Sequence, residues 1–284
     1  MWKLTVQSVV LSVVRYVFMF GLGTVLVLGP PGASQAMAQT VERDPQALKL
    51  IASSLNAITA GVTVNDVVLQ ANASYFAGSD QESGTATLTA LGNQESLVQL
   101  GLNEGPREEL RNGPAGVWSG PDGTVHWMAT HNCWIDANWF FPALTLEALQ
   151  TDPTLGVVYV GPVVWNGVPA VGLQFFHIIP GQTTAMTAEI QNLSNIYLYL
   201  DPKSFLPLAL DFNTHLPSDL NAIIPVEIQF ANYQSASGVL VPFSIQKFQL
   251  GSLILALTLT QATVNTTVPP STFTLPPPPT GGAQ

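Results

Sequence analysis

IYLYLD at 196–201, LPLALDF at 206–212, PVEIQFANY at 225–233, VLVPFSIQKFQL at 239–250 and LILALTLTQATV at 253–264 follow one another through short turns. Apolar and polar residues alternate along each stretch, which is the pattern of antiparallel strands with one face buried and the other in water. The geometry suits a half-barrel or a ligand-holding sheet. No residue in these stretches is placed for catalysis.

The same grammar extends upstream. DPQALKLIASSLNAITA at 44–60 carries Leu48, Ile51, Leu55 and Ile58 at a spacing of three to four, with Asp44 as N-cap, Pro45 in the first turn and Gly61 as the stop, so a helix is expected there. From Val62 the period changes to two through VTVNDVVLQANASYF, GTATLTAL at 84–91 and ESLVQLGL at 95–102. Arg107–Gly113, Gly116–Ser119 and Thr124–Ala129 continue the sheet, with Pro121-Asp122-Gly123 as a hairpin turn. In WIDANWFFPALTLEALQTD at 134–152, Leu144, Leu146, Ala148 and Leu149 predict a short helix crossing the sheet. GVVYVG at 156–161 and VPAVGLQFFHI at 168–178 are two further strands around the turn at 165–167. The fold class read from this order is α+β, a curved antiparallel sheet with one or two helices on its concave face.

Composition limits the partners. Of 284 residues 47% are hydrophobic and 9% charged, and the chain carries a net charge of −10. Lys3 and Arg15 precede the apolar run YVFMFGLGTVLVLG at 16–29, which is shorter than the roughly 20 residues of a spanning helix. Pro30-Pro31-Gly32 breaks it and Ala36-Met37-Ala38 supplies small residues for cleavage, so residues 1–38 read as a cleaved secretory signal, with an uncleaved anchor as the other reading because Val9–Val14 is also apolar. Removing Lys3 and Arg15 leaves six basic residues against 18 acidic ones, a net of −12. That excludes the electrostatic footprint of nucleic acid or an anionic membrane surface. Cys133 is the single cysteine, so no internal disulfide forms and the core must hold the domain, read as residues 39–275. The Pro/Gly-rich stretch 276–284 is expected to extend from it as a disordered tail.

The succession of helix, long first strand and meander, the Pro121-Asp122-Gly123 hairpin, Tyr199-Leu200-Asp201-Pro202 before Leu206-Pro207, and VEIQFANYQSASGVLVPFSIQKF resemble the periplasmic lipoprotein-carrier and outer-membrane lipoprotein-sorting superfamily. In that phrase an F-x-x-Y strand meets a G-V-x-x-P-F strand. The resemblance covers most of residues 43–275 and implies an unclosed half-barrel with a helical lid around an apolar cavity that accepts acyl chains. Candidate lining residues are Leu69, Phe76, Leu88, Val98, Leu100, Trp118, Trp127, Phe175, Tyr197 and Phe230; alternatively these pack against the two helices. Carriers of this kind use an arginine to hold the lid shut, and Arg43, Arg107 and Arg111 do not align with it in sequence. Trp134, Trp139, Phe140 and Phe141 form the most unusual local composition, read as a plug over the open side or as a mobile lid or docking patch.

Catalytic patterns are weak. His126 and His131 lie five apart, which places them on opposite faces of one strand, and with Cys133 they match no usual zinc spacing, so no metal is expected. No G-x-S-x-G elbow and no phosphate loop occur. Glu108-Glu109, Asp80/Glu82 and Asp201/Asp211 read as solvated carboxylates rather than acid–base pairs. The expectation is a non-enzymatic periplasmic binding or carrier protein, without cofactor, for a lipid or other apolar ligand such as lipoprotein acyl chains. The alternative is a structural or interaction module of the cell envelope with a self-filled core and a protein partner. A hydrolase using His131 and Cys133 ranks below both.

Overall fold

Asp44 starts the first helix by accepting hydrogen bonds at Oδ1 from the backbone N–H groups of Gln46 (2.7 Å) and Ala47 (3.1 Å). In this computed structural model, which describes residues 43–135 and 137–278, that helix is α1 (Pro45–Thr59). It ends at Ala60, whose φ of 49° makes the left-handed turn expected of Gly61. Strands β1 (Asp66–Ala77), β2 (Asp80–Leu91), β3 (Glu95–Leu102), β4 (Gly105–Asn112), β5 (Ala115–Ser119) and β6 (Val125–Trp127) follow. Then come α2 (Thr130–Cys133), α3 (Pro142–Thr151), β7 (Leu155–Trp165), β8 (Val168–His177) and α4 (Thr184–Leu193). The chain closes with β9 (Ile196–Leu200), β10 (Pro207–Leu216), β11 (Asp219–Ala236), β12 (Val239–Gln249) and β13 (Ser252–Val264).

The strands form one antiparallel 13-stranded sheet in the order β6-β5-β4-β3-β2-β1-β13-β12-β11-β10-β9-β8-β7. It is an unclosed α+β half-barrel. The chain starts in the middle, steps outward to β6, crosses to the opposite edge at β7, and steps back until β13 pairs with β1. Residues 128–154 therefore have to join the two edges. The proposed signal, residues 1–38, and tail residues 279–284 lie outside the described residues.

Period-two alternation sorts the side chains into two faces. On the concave face Leu69 opposes Leu88, which opposes Val98, while Leu198, Leu210 and Ile228 stand in register on the other flank. Ala47, Ile51 and Ile58 of α1, and Ile135, Trp139, Phe140, Phe141 and Leu146 of the crossover, join these in one continuous core. On the opposite face Leu110, Val117, Val268 and Phe273 form a second cluster, with Val68, Leu97, Trp127 and Leu275 against it.

Asp66 secures that second cluster. Its carboxylate, on a residue 3% exposed, accepts from Thr266 N (2.6 Å), Thr266 Oγ1 (2.8 Å) and Thr267 N (3.0 Å), which pins the turn out of β13 where Thr267 has φ 63°. Asn112 Nδ2 donates to Phe273 O (3.1 Å), so the strap after β13 lies along β3 and β4. Leu275, at the start of the Pro-rich stretch, packs here rather than extending away.

Two elements differ from the sequence reading. α4 occupies a stretch to which no element was assigned; Thr183 Oγ1 caps it by accepting from Met186 N, and Thr187, Ile190 and Leu193 form its buried stripe. α2 likewise forms where no element was assigned, whereas the short helix predicted within 134–152 is α3, which starts at Pro142 because Pro142 fits the first turn.

Phe273→Ala should cost about 3–5 kcal/mol in denaturant unfolding, the usual loss for a buried Phe, whereas truncation after Leu275 should leave the unfolding midpoint unchanged.

Candidate functional site

The crossover carries polar backbone across the open side of the half-barrel, and buried carbonyls need donors. Arg43, one residue before the α1 cap, supplies them. Its Nη1 donates to the carbonyls of Asp152 (2.6 Å) and Leu155 (2.8 Å), and its Nη2 to those of Leu149 (2.7 Å) and Gln150 (3.3 Å). These carbonyls end α3 and lead into β7, a place where a cation also suits the helix dipole. The backbone of Arg43 bridges Val157 in parallel, which fixes where the guanidinium starts from.

The other end of the crossover is held differently. Asn132 Nδ2 donates to His215 O (2.8 Å) and His215 N donates to Asn132 Oδ1 (2.9 Å), tying α2 to β10. Arg111 Nη1 donates to Asn132 O (3.2 Å) and Ile135 O (3.3 Å), and Asn138 Nδ2 donates to Gly92 O (2.7 Å). Between these anchors Trp139, Phe140 and Phe141 are 2%, 0% and 1% exposed, and Trp139 meets Phe140 edge to face at 5.5 Å. That burial removes these three from any exposed docking patch; Trp134 is half-buried.

A cleft of about 220 Å³ opens beside this segment, walled by Cys133, Ile135, Ala148 and Leu149 on one side and by Phe175 and Ile196 of the sheet on the other. His177 and Thr145 are polar groups at it. Three further clefts are more polar or shallower in setting: one around Asn65, Asn112 and Glu147, one on the outer face around Asp211 and Glu227, and one between Trp118 and Pro276. α1 lines none of these four, and its apolar stripe is packed into the core.

Charges lie inside the concavity as well. Arg111 Nε donates to Glu109 Oε1 (2.8 Å), and Lys247 Nζ lies 4.6 Å from the centre of the Trp139 ring. Burial alone pushes the Glu109 carboxyl up, yet Arg111 and Lys247 hold it below its ordinary value. Burial lowers the Lys247 ammonium, which Glu109 opposes and Arg111 reinforces. His131 and His215 meet edge to face at 6.1 Å; His131 Nε2 and both ring nitrogens of His215 are buried without a hydrogen-bond partner. Burial, followed by the neighbouring His215, lowers the affinity of His131 for a proton.

Of the ten lining candidates, Leu69, Leu88, Val98, Leu100, Phe175 and Phe230 belong to the concave core, and Phe175 also walls the cleft. Four need correction. Phe76 follows Leu69 by an odd number of residues and faces away from it, half-buried. Trp118 is 47% exposed near the β6 edge, stacked on His126 at 4.3 Å. Trp127 packs in the second cluster, and Tyr197, in register with Gln174 and Asp211, lines the outer polar cleft. Cys133 and His131 share α2, but no hydrogen bond joins them, and burial pushes the thiol up rather than toward a nucleophilic thiolate. Among the described residues no group of three or more His, Cys, Asp or Glu side chains is placed to hold a metal, and no helix is long and apolar enough to cross a membrane.

Two residues escaped sequence reasoning. In sequence Arg43 precedes a helix and aligns with no lid arginine, and Lys247 carries no signal of its own; only the register, with Lys247 opposite Ile228 and Leu255, reveals that it points inward.

No protein-family model and no curated protein sequence matches this chain. Solved structures do. The outer membrane lipoprotein-sorting protein domain from Vibrio parahaemolyticus is similar with a TM-score of 0.51 at 12% identity, over 80% of this chain and 96% of that one. A LolA superfamily protein from Nitrosomonas europaea is similar with 0.51 at 11%, over 81% and 97%, and a DUF1329 family protein from Desulfovibrio piger with 0.50 at 8%, over 82% and 98%. At such identities the likeness shows the fold alone, an unclosed half-barrel like that of the outer membrane lipoprotein-sorting protein domain.

His131 ordinarily titrates near 6.5 and binds a proton less readily when folded, so the folded form loses stability as pH falls through that value. Burial lowers His177 in the same direction. Amide exchange across 130–135 should therefore accelerate between about pH 7 and about pH 5 in the wild type, and His131→Phe should flatten the response.

Proposed function

We propose that this chain is a non-enzymatic binding or carrier protein of the periplasm that holds the apolar part of a lipid against the concave face of its half-barrel, with residues 130–152 as the lid. The observation that carries the proposal is the Arg43 latch: one guanidinium gathers the carbonyls of Leu149, Gln150, Asp152 and Leu155, and Leu149 and Leu155 also wall the apolar cleft. Releasing that side chain would unfasten the C-terminal end of the lid beside the cleft.

Volume supports a moving lid. A space of about 220 Å³ is smaller than the roughly 300 Å³ at which ligand sites begin, so it accepts the leading part of an acyl chain and no more while the crossover stays in place. The aromatic side chains of 139–141 then act as a stand-in for the ligand. Exchanging them for an acyl chain replaces one buried apolar surface with another and changes the hydrophobic free energy little. What remains is the set of bonds to Arg43, Arg111 and Asn132, at about 1.5–3 kcal/mol for each one made by a charged group.

The second reading, a structural or interaction module of the envelope, is favoured by the full burial of Phe140 and Phe141, which leaves the core filled without any guest. Native mass spectrometry of the chain taken from periplasmic extract separates the two. The carrier reading expects a bound lipid, lost in Ala148→Trp, which fills the cleft; a chain that emerges bare under every condition, with Arg43→Ala binding no lipid either, supports the module instead. Arg43→Ala should also lower stability by about 2–3 kcal/mol and raise amide exchange in 149–155, because the helix-terminal carbonyls lose a charged donor.

A further inference from the structure

We infer that Arg111 and Lys247 form the head-group site for a long-chain carboxylate, an inference that rests on the carrier reading and names its ligand class. Lys247 stands in register with Ile228 and Leu255, and Glu109 and Arg111 with Val98 and Ser96, so all three charged side chains project to the concave face from opposite flanks of the sheet. Ile228 is 0% exposed, and Arg111 itself is 7% exposed. Two cations and one carboxylate share this apolar setting.

Glu109 is bonded to Arg111 through Nε at 2.8 Å and accounts for one positive charge. Among the described residues it is the one carboxylate acting on Lys247. Lys247 is half-buried, and a cation partly withdrawn from water among apolar side chains calls for a partner, since desolvation penalises it more than at a surface.

In the closed structure the lid itself provides electron-rich groups. The carbonyl oxygens of Asn132 and Ile135 accept from Arg111 Nη1 at 3.2 and 3.3 Å, and the π face of Trp139 lies under Lys247 Nζ at 4.6 Å. All three belong to the segment that must swing aside for a chain to enter. On opening, both cations lose these partners together, while Glu109 stays with Arg111. A lipid with an ionised carboxyl replaces the whole set: its chain takes the space of the 139–141 aromatics, and its head takes the place of the carbonyls and the ring. One negative charge neutralises the group. A neutral lipid of the same length fills the space but leaves Lys247 without a partner, and a doubly charged head overshoots.

The test uses cis-parinaric acid, a polyene fatty acid whose emission rises in an apolar site, and its methyl ester, which has the same chain and no charge. Wild type near neutral pH should bind the acid about tenfold more tightly than the ester, the scale of a partly buried ion pair. Lys247→Met should abolish the preference while leaving ester affinity in place, and Lys247→Arg should keep it. Equal binding of acid and ester by the wild type, or a preference that survives in Lys247→Met, overturns the head-group site and leaves the carrier reading standing. Binding of neither ligand overturns the carrier reading and this inference with it. Where Lys247→Met fails to fold, the wild-type ratio of acid to ester decides alone.

Discussion

A sheet that pairs its first strand with its last but never joins its two edges forces the chain to travel from one edge to the other across open space. Here that path is residues 128–154, and it runs over the concave face. The constraint explains much of what surrounds it. Apolar side chains of the crossover fill the concavity because that face is apolar by alternation, and its backbone needs donors because no strand is there to supply them. Arg43 and Arg111 donate to its carbonyls, while Asn132 and Asn138 of the segment itself donate outward to His215 O and Gly92 O.

The anchoring by side chains rather than by a ladder of backbone bonds makes the crossover separable from the sheet. Strands β1 to β13 are joined by backbone pairing without it, whereas α1 packs on α3 of the crossover as well as on the sheet. The aromatic residues 139–141 are nevertheless buried in the core, so the segment is held by apolar packing as well as by these side-chain bonds. The strap pinned by Asp66 lies on the opposite face of the sheet from this segment.

Much of the architecture was legible from the sequence because it rests on local signals. Period two from Val62 onward fixed the strands, and Asp44-Pro45 fixed the start of α1. α4 was missed, although its Thr183 cap and the buried spacing of Thr187, Ile190 and Leu193 were there to find; two alanines and several polar residues dilute the stripe. The candidate site was only half legible. Aliphatic lining positions such as Leu69, Leu88 and Val98 follow from alternation, but aromatic size misled: Phe76, Trp127 and Tyr197 stand on the outer face, and Trp118, though in register with Glu109, is exposed near the edge of the sheet. Arg43 could not be read at all: its acceptors lie 106 to 112 residues away and are carbonyls, which leave no mark in side-chain identity.

The two unpaired margins of the sheet carry a consequence for crowded surroundings. At one margin β6 has three residues, too short to template the strand of another molecule. At the other, β7 shifts register between Tyr159 and Gly161, and the Arg43 bridge at Val157 occupies part of its free side. A thirteen-stranded ribbon with straight, bare borders would invite edge-to-edge pairing; this one has a stub at one border and a kink with a guard at the other, so protection against such pairing is written into the ends of the sheet rather than its faces.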